Sequence, residues 1–310
     1  MTDILPIWNP GGPSGAGWSE IAAYFRCPKE YQLAKVRGVS VPRTATPDYF
    51  FIGSAFHAGR AIWLARKCAM DSETDTAIDL EVVRIRAEYE EQGLPVFGDA
   101  VTDVKRYLTE YREHYSMQSA PKTVAVEHLL GPTALTDDDT QRTARLDDIG
   151  YYQEAGGVLC IGECKTGSGT PAQIANEYQL HGQPLLQWIL WELAPQGAAQ
   201  YGPLGAIVLD VVQKGYSGKR CKFARPVLRP EPHALTWYKK WLALAVKATR
   251  TMKPDDDVPR NITSCARPRL GLGGTTFGSC EFRDLCTFGA PASGMYVKRG
   301  GEPLTAEDCE

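Results

Sequence analysis

Apolar positions recur at helical spacing through the first third of the chain and at strand spacing through its middle. After a Gly- and Pro-rich lead-in, the stretch SEIAAYFRCPKEYQLAKVRG begins at Ser19, which can cap a helix, and Ile21, Tyr24 and Phe25 follow at helical spacing. Pro28 breaks or bends that helix just after Cys27. Further helices are predicted over 53–70, 77–92 and 100–117, and in the last of these Val101, Val104, Tyr107, Leu108, Tyr111 and Tyr115 form one stripe, read as core. Beyond residue 122 the period shortens: TVAVEHLL, TARLDDIGYY, VLCIGECK and later GAIVLDVVQK are strand-like, with turn-prone segments between them. Helical spacing returns over 183–194 and 234–251. Helices, then three strands, a helix and a strand predict an α/β fold with a mixed central sheet flanked by helices.

Composition narrows the classes. With 310 residues, 43% of them hydrophobic, and 7 Trp, the chain can bury a sizeable core, which excludes wholesale disorder and collagen-like repetition. A net charge of −3 argues against a generally basic polymer-coating protein and leaves room for a local basic groove. No run approaches the roughly 18 to 20 apolar residues of a membrane span, and the start MTDILPIWNPGGPSGAGW has no basic segment followed by a long apolar one. A soluble cytoplasmic protein without membrane association is expected. Nine cysteines without a secretion signal make metal ligation the first alternative to ordinary buried thiols.

The most informative stretch is RLDDIGYYQEAGGVLCIGECKTG, in which two strand-like runs flank the turn-prone Glu154-Ala155-Gly156-Gly157. In an antiparallel hairpin centred near residue 155, opposed residue numbers sum to about 310, which sets Asp147 across from Glu163. Alternation puts Lys165 on the same face and points Cys164 away, leaving the Cys164 carbonyl between the two reactive side chains. Two opposed carboxylates repel unless something compensates them, and a divalent cation with oxygen ligands, Mg²⁺ or Mn²⁺, does so. The plain alternative is a solvated hairpin with surface ion pairs.

Asp147, fifteen intervening residues and Glu163-Cys164-Lys165 resemble the D…ExK core of the PD-(D/E)xK nucleases. Upstream, Gly53-Ser54-Ala55-Phe56-His57 resembles the G-x-x-F/V-H helix motif of the RecB-like branch, and Gln183-Pro-Leu-Leu-Gln187 stands where that branch has Q-x-x-x-Y, with Gln187 in place of the tyrosine. The resemblance implies a restriction-endonuclease-like fold. It assigns Asp147, Glu163, the Cys164 carbonyl and His57 to the metal, Lys165 to the attacking water and Gln183 to support. Glu127, in AVEHLL, is either a further acid on the sheet or a plain surface carboxylate, and is left outside the set.

A second constellation joins Cys27, in FRCPKEY, to Cys265, Cys280 and Cys286 near the end. Four thiolates suit an iron-sulfur cluster or a structural zinc. The arrangement resembles the iron-sulfur nucleases of the AddB and CRISPR-adaptation type, which implies a [4Fe-4S] cluster clamping the C-terminal segment to the N-terminal helix, with zinc as the alternative. Fourteen residues separate Cys265 from Cys280 where those families commonly have two. Cys68, Cys160, Cys164, Cys221 and Cys309 read as small core residues.

From Lys214 to Arg229, KGYSGKRCKFARPVLR holds six basic residues and no acidic one, interleaved with Tyr216 and Phe223; Lys219, Arg220 and Lys222 are the candidate phosphate contacts, and a solvated basic hairpin is the alternative. The expected organisation is one composite domain: lead-in 1–18, helical region 19–121, nuclease core 122–252 and cysteine segment 253–310. The expected activity is Mg²⁺- or Mn²⁺-dependent hydrolysis of DNA, by an exonuclease on single-stranded or frayed ends, in recombination, repair or CRISPR-type adaptation. By resemblance the protein is bacterial, archaeal or phage-encoded. The competing class is a non-cutting DNA-binding scaffold. The chain has no Walker-type loop, so any helicase, like any integrase partner, is a separate polypeptide.

Overall fold

The computed structural model describes residues 17–40, 48–115, 119–135, 141–179, 181–215, 219–261, 269–270, 276–277, 280–288, 290–298, 302–305 and 307–309. The described residues open with helices α1 (Trp18–Arg26) and α2 (Pro28–Tyr31), and Cys27 between them is extended. Pro28 divides the two as expected, but Gly17 rather than Ser19 stands at the cap, without a side-chain bond. Three helices follow: α3 (Asp48–Ala65), α4 (Ser72–Glu91) and α5 (Gly98–His114). Asp71 caps α4 by accepting the Thr74 N–H at 2.7 Å. The stripe expected on α5 is interior, with Val104, Tyr107, Leu108 and Tyr111 buried.

Strands β1 (Lys122–Thr133), β2 (Arg142–Tyr151) and β3 (Leu159–Gly167) form an antiparallel meander. Helices α6 (Pro171–Gln179), α7 (Gly182–Leu193) and α8 (Ala198–Tyr201) then cross over to β4 (Ala206–Gln213), which runs parallel to β3. The short strands β5 (Lys222–Ala224) and β6 (Val227–Leu228) pair antiparallel with β4, and α9 (Pro232–Thr251) follows. The result is a mixed sheet of order β1-β2-β3-β4-β5. Its two inner strands, β3 and β4, are the most continuously buried, as strands covered on both faces must be.

Two cores sandwich the sheet. One packs Leu146, Ile149, Ile161, Leu186, Ile189 and Leu209 against Tyr238 and Leu242 of α9. The other packs Phe56, Trp63, Val104 and Tyr111 against Val126, Cys164 and Val212. A third cluster gathers Leu33 and Val39 with Phe282, Leu285, Tyr296 and Leu304. The buried Gln32 amide ties the same junction, donating to the carbonyls of Lys253 at 2.9 Å and Asp256 at 2.8 Å. Apolar packing and backbone bonds therefore join the early and late segments that carry the cysteines.

Candidate active site

The β2–β3 register is Asp148↔Gly162 through Tyr151↔Leu159, so opposed numbers sum to 310 as the turn position required. The ladder ends there. At the next position the Cys164 N–H donates 2.7 Å to Asp147 Oδ2, a side-chain bond where the ladder would have continued. Neighbouring side chains change faces at this point. Leu146 lies in the core beneath α7, whereas Asp148 meets Arg60 of α3 on the opposite side. On β1, Val126 packs toward α3, while His128 Nε2 lies 3.0 Å from the Gln196 carbonyl beyond α7. Strict alternation would keep each such pair on one face. Glu127, with a left-handed φ of 48°, sits at the break.

Helix α3 supplies His57, whose Nδ1 lies 3.3 Å from Asp147 Oδ2. Burial works against the Asp147 charge, but His57, Lys165 and Arg60 more than offset it, so the carboxyl titrates well below its usual range. Glu127 is partly buried beside it, 3.9 Å from Arg145. Burial and the Asp147 charge push the Glu127 carboxyl up to about 7. Glu127 is therefore part of the acid cluster, not a plain surface carboxylate.

Glu163 is buried and held on both oxygens. Oε1 takes the Lys165 ammonium at 2.5 Å and the Gln183 amide at 2.6 Å, and Oε2 takes the Gln187 amide at 2.6 Å. Gln183 and Gln187 stand one turn apart on α7, so a single helix face presents both donors to the strand. Gln187 thus does engage the site although it replaces the tyrosine of the resembling motif. Tyr178 of α6 donates to Gln183 Oε1 at 3.1 Å and lies under the Lys165 ammonium, 5.2 Å from ring centre to Nζ. Burial lifts the Glu163 carboxyl above its ordinary value, with Asp147 adding to the lift and Lys165 opposing it. Burial alone would lower Lys165, but Glu163 holds its ammonium well above the usual range.

Asp147 and Glu127 open on a cleft of about 720 Å³ lined also by Tyr49, Phe50, His57 and Arg84, with Glu163 buried behind them. Among the described residues, no three His, Cys, Asp or Glu side chains are gathered closely enough to hold one ion as they now point. The donor chemistry nevertheless fits a hard cation. Asp147, Glu127 and Glu163 supply carboxylate oxygens at one place, and burial together with the Asp147 charge raises the Glu127 carboxyl.

Next to the acids lies a buried network that periodicity does not reveal. Arg60, one turn after His57, is 1% exposed and reaches Asp148 Oδ2 at 2.7 Å and Asp210 Oδ2 at 3.0 Å. Tyr152 donates to Asp148 Oδ1 at 2.6 Å, and Arg225 Nε lies 3.4 Å from Asp210 Oδ1.

Cys27 and Cys280 are buried and Cys286 is partly so. Burial raises the Cys286 thiol, and Cys280 and Cys27 are near enough to add to the shift while Arg260 opposes it. The Asn261 N–H donates to Cys27 Sγ at 3.3 Å. Cys265 lies outside the described residues. In the basic ribbon, Lys219, Arg220 and Lys222 are exposed, at the sheet edge formed by β5. Lys214 and Arg225 are instead interior, and Phe223 packs on Tyr111, Tyr115 and His114, so the ribbon offers fewer free groups than its sequence implied. Tyr216 lies outside the described residues. No described helix is long and apolar enough to cross a membrane.

A profile of the PD-(D/E)XK nuclease superfamily matches residues 18–287. No curated protein matches the chain.

Proposed function

The chain belongs to the PD-(D/E)XK nuclease superfamily, and from that premise we propose that it is a metal-dependent deoxyribonuclease acting on single-stranded or frayed DNA ends, more readily as an exonuclease than as an endonuclease. The observation that carries the reading is Glu163, clamped by Lys165, Gln183 and Gln187 beside an Asp147 that faces His57. A structural carboxylate needs no such set of donors from one strand and one helix face.

In this reading Asp147, Glu163 and the Cys164 carbonyl hold Mg²⁺ or Mn²⁺, with His57 beside them. The cation supplies polarisation of the phosphoryl oxygen and a lowered pKa for water. Gln183 and Gln187 fix the Glu163 carboxylate so that it need not reorganise during the reaction. Lys165 is held as a cation by Glu163, which suits it to orient the attacking water by donating hydrogen bonds and to stabilise charge developing on the phosphate. Tyr178 positions both Lys165 and Gln183 from below.

The test pairs the wild-type chain with Glu163→Gln on end-labelled single- and double-stranded DNA, with Mn²⁺ or with chelator. Metal-dependent cutting that Glu163→Gln abolishes is the expected result, and the product ladder gives polarity and separates exonuclease from endonuclease action. Tight DNA binding by a folded wild-type protein that cuts no substrate in any metal would replace this reading with the non-cutting scaffold.

For the cysteines, the proposal is a [4Fe-4S] cluster on Cys27, Cys265, Cys280 and Cys286, with zinc as the alternative. Cys280 and Cys286 share the third apolar cluster with Leu33 of the early segment, which supports it, and thiolate donors suit either group. Iron, acid-labile sulfide and zinc analysis of anaerobically purified protein decides between them.

A further inference from the structure

Helix α9 contains Lys239, Lys240, Lys247 and Arg250 and no Asp or Glu. Its outer face exposes large apolar groups. Trp237 is 56% exposed, Trp241 37% and Leu244 68%, and their spacing of four and three residues sets all three on one stripe. Lys240 stands one turn from both Trp237 and Leu244, and Lys247 one turn beyond Leu244, so ammonium groups border the stripe. Exposed indoles do little for the core, and apolar surface of this kind marks a place where something docks.

The stripe leads to the active site through rings. Trp237 stacks on Trp241 with centroids 5.4 Å apart, and Trp241 stacks on Phe25 at 3.5 Å. Phe25 stacks on Trp18 at 5.8 Å, and Trp18 meets His181 edge-on at 5.3 Å. His181 stacks on Tyr178 at 4.8 Å, and Tyr178 lies under Lys165. Ring contacts thus run from solvent on α9 through the interior to Tyr178, which is 1% exposed, beneath the lysine beside Glu163. The accessible part of this path is the α9 stripe. Its flat faces suit bases and its lysine border suits phosphates, the two requirements of a single-strand track.

We propose that the α9 stripe, Trp237, Trp241 and Leu244 with Lys240 and Lys247, is the track on which single-stranded DNA stacks as it approaches the site. This rests on the nuclease reading and deepens it by naming where an unpaired strand is held. A duplex keeps its bases stacked on each other and has little use for the indoles.

The experiment measures binding of a fluorescein-labelled oligothymidylate in chelator, where no cutting occurs, by anisotropy and by quenching of tryptophan fluorescence. Trp237→Ala is expected to weaken binding about fivefold or more, and Trp237→Ala/Trp241→Ala further, since each stacked base contributes about 1–3 kcal/mol. Lys240→Gln/Lys247→Gln is expected to reduce the salt slope by about 0.7 per lysine. Duplex of the same length should respond little to Trp237→Ala. Because Trp241 packs on Phe25, thermal unfolding accompanies each variant, and Trp237→Ala alone decides if the double variant is unstable. Wild-type affinity in a folded Trp237→Ala variant overturns the track while leaving the nuclease reading intact. Self-association lost in that variant, with oligothymidylate binding unchanged, assigns the stripe to a second copy and overturns it equally. A wild-type chain that neither binds nor cuts DNA removes the nuclease reading itself.

Discussion

Replacing Arg60 by Met tests how the buried network supports the site. Arg60 donates to Asp148 at 2.7 Å, to Asp210 at 3.0 and 3.1 Å, to the Tyr111 hydroxyl at 3.0 Å and to the Tyr152 hydroxyl at 3.3 Å, all away from water. Methionine fills similar volume without the charge. Asp210 would keep Arg225 and Tyr111, whereas Asp148 would keep only the Tyr152 hydroxyl at 2.6 Å. The loss therefore falls on Asp148, and breaking a buried pair from one side costs about 3–5 kcal/mol. That is a fifth or more of the roughly 5–15 kcal/mol that holds an ordinary domain. Adding Asp148→Asn removes the stranded charge, and the double variant should recover about 1–3 kcal/mol relative to additivity. Urea unfolding followed by tryptophan fluorescence measures both quantities. A deficit under about 1 kcal/mol, or no recovery in the double variant, would refute the assignment of Arg60 as the counter-charge of Asp148.

Gly162→Ala places a methyl group against the Asp148 carboxylate and the Tyr152 hydroxyl in the same network, and a lowered melting temperature equivalent to about 1–3 kcal/mol is expected by calorimetry. Lys214 is 7% exposed, and burial lowers its ammonium to about 8, with Asp103 opposing. Below that value wild type carries a buried charge that the unfolded chain solvates, so Lys214→Met should be more stable at pH 7 by about 1–3 kcal/mol. Wild-type stability then rises between pH 8 and the unfolded lysine value of 10.5, and denaturation at pH 7 and pH 10 should show the advantage shrinking.

The local parts of the fold were legible in the residues. Strand periods and the Glu154–Gly157 turn set the β2–β3 register, because a turn of fixed position leaves a hairpin little freedom to slip. Helix α6 was missed, and Tyr178 with it, since its apolar positions are sparse. A signal was present: Thr170-Pro171-Ala172-Gln173 is a capping box with proline at the first helical position. Its reciprocal bonds run from the Thr170 N–H to Gln173 Oε1 at 2.9 Å and from the Gln173 N–H to Thr170 Oγ1 at 3.3 Å. The sequence reads Glu127 equally as a further acid or a plain surface carboxylate, and its left-handed φ in mid-strand has no signature in the alternation. The Arg60 network joins residues 150 positions apart, beyond the reach of any local pattern. Its one trace in sequence is the charge of Asp210 in the otherwise apolar run AIVLDVV.

That network also explains which acid of the Asp147-Asp148 doublet serves the site. Both carboxylates are near the sheet centre and nothing in their identity separates them. In the buried network Asp148 and Asp210 face Arg60 and Arg225, with Glu154 at its rim 3.5 Å from Arg225, and these guanidinium groups cannot be discharged at ordinary pH, so Asp148 is already compensated. Asp147, Glu127 and Glu163 instead share Lys165, the His57 ring and the more distant Arg145. The two adjacent acids meet α3 one turn apart, Asp147 at His57 and Asp148 at Arg60, so their partners rather than the faces of the sheet distinguish them. The guanidinium network holds α3 against the sheet, and with it His57, while Asp147 and Glu127 line the cleft and stay available to a cation.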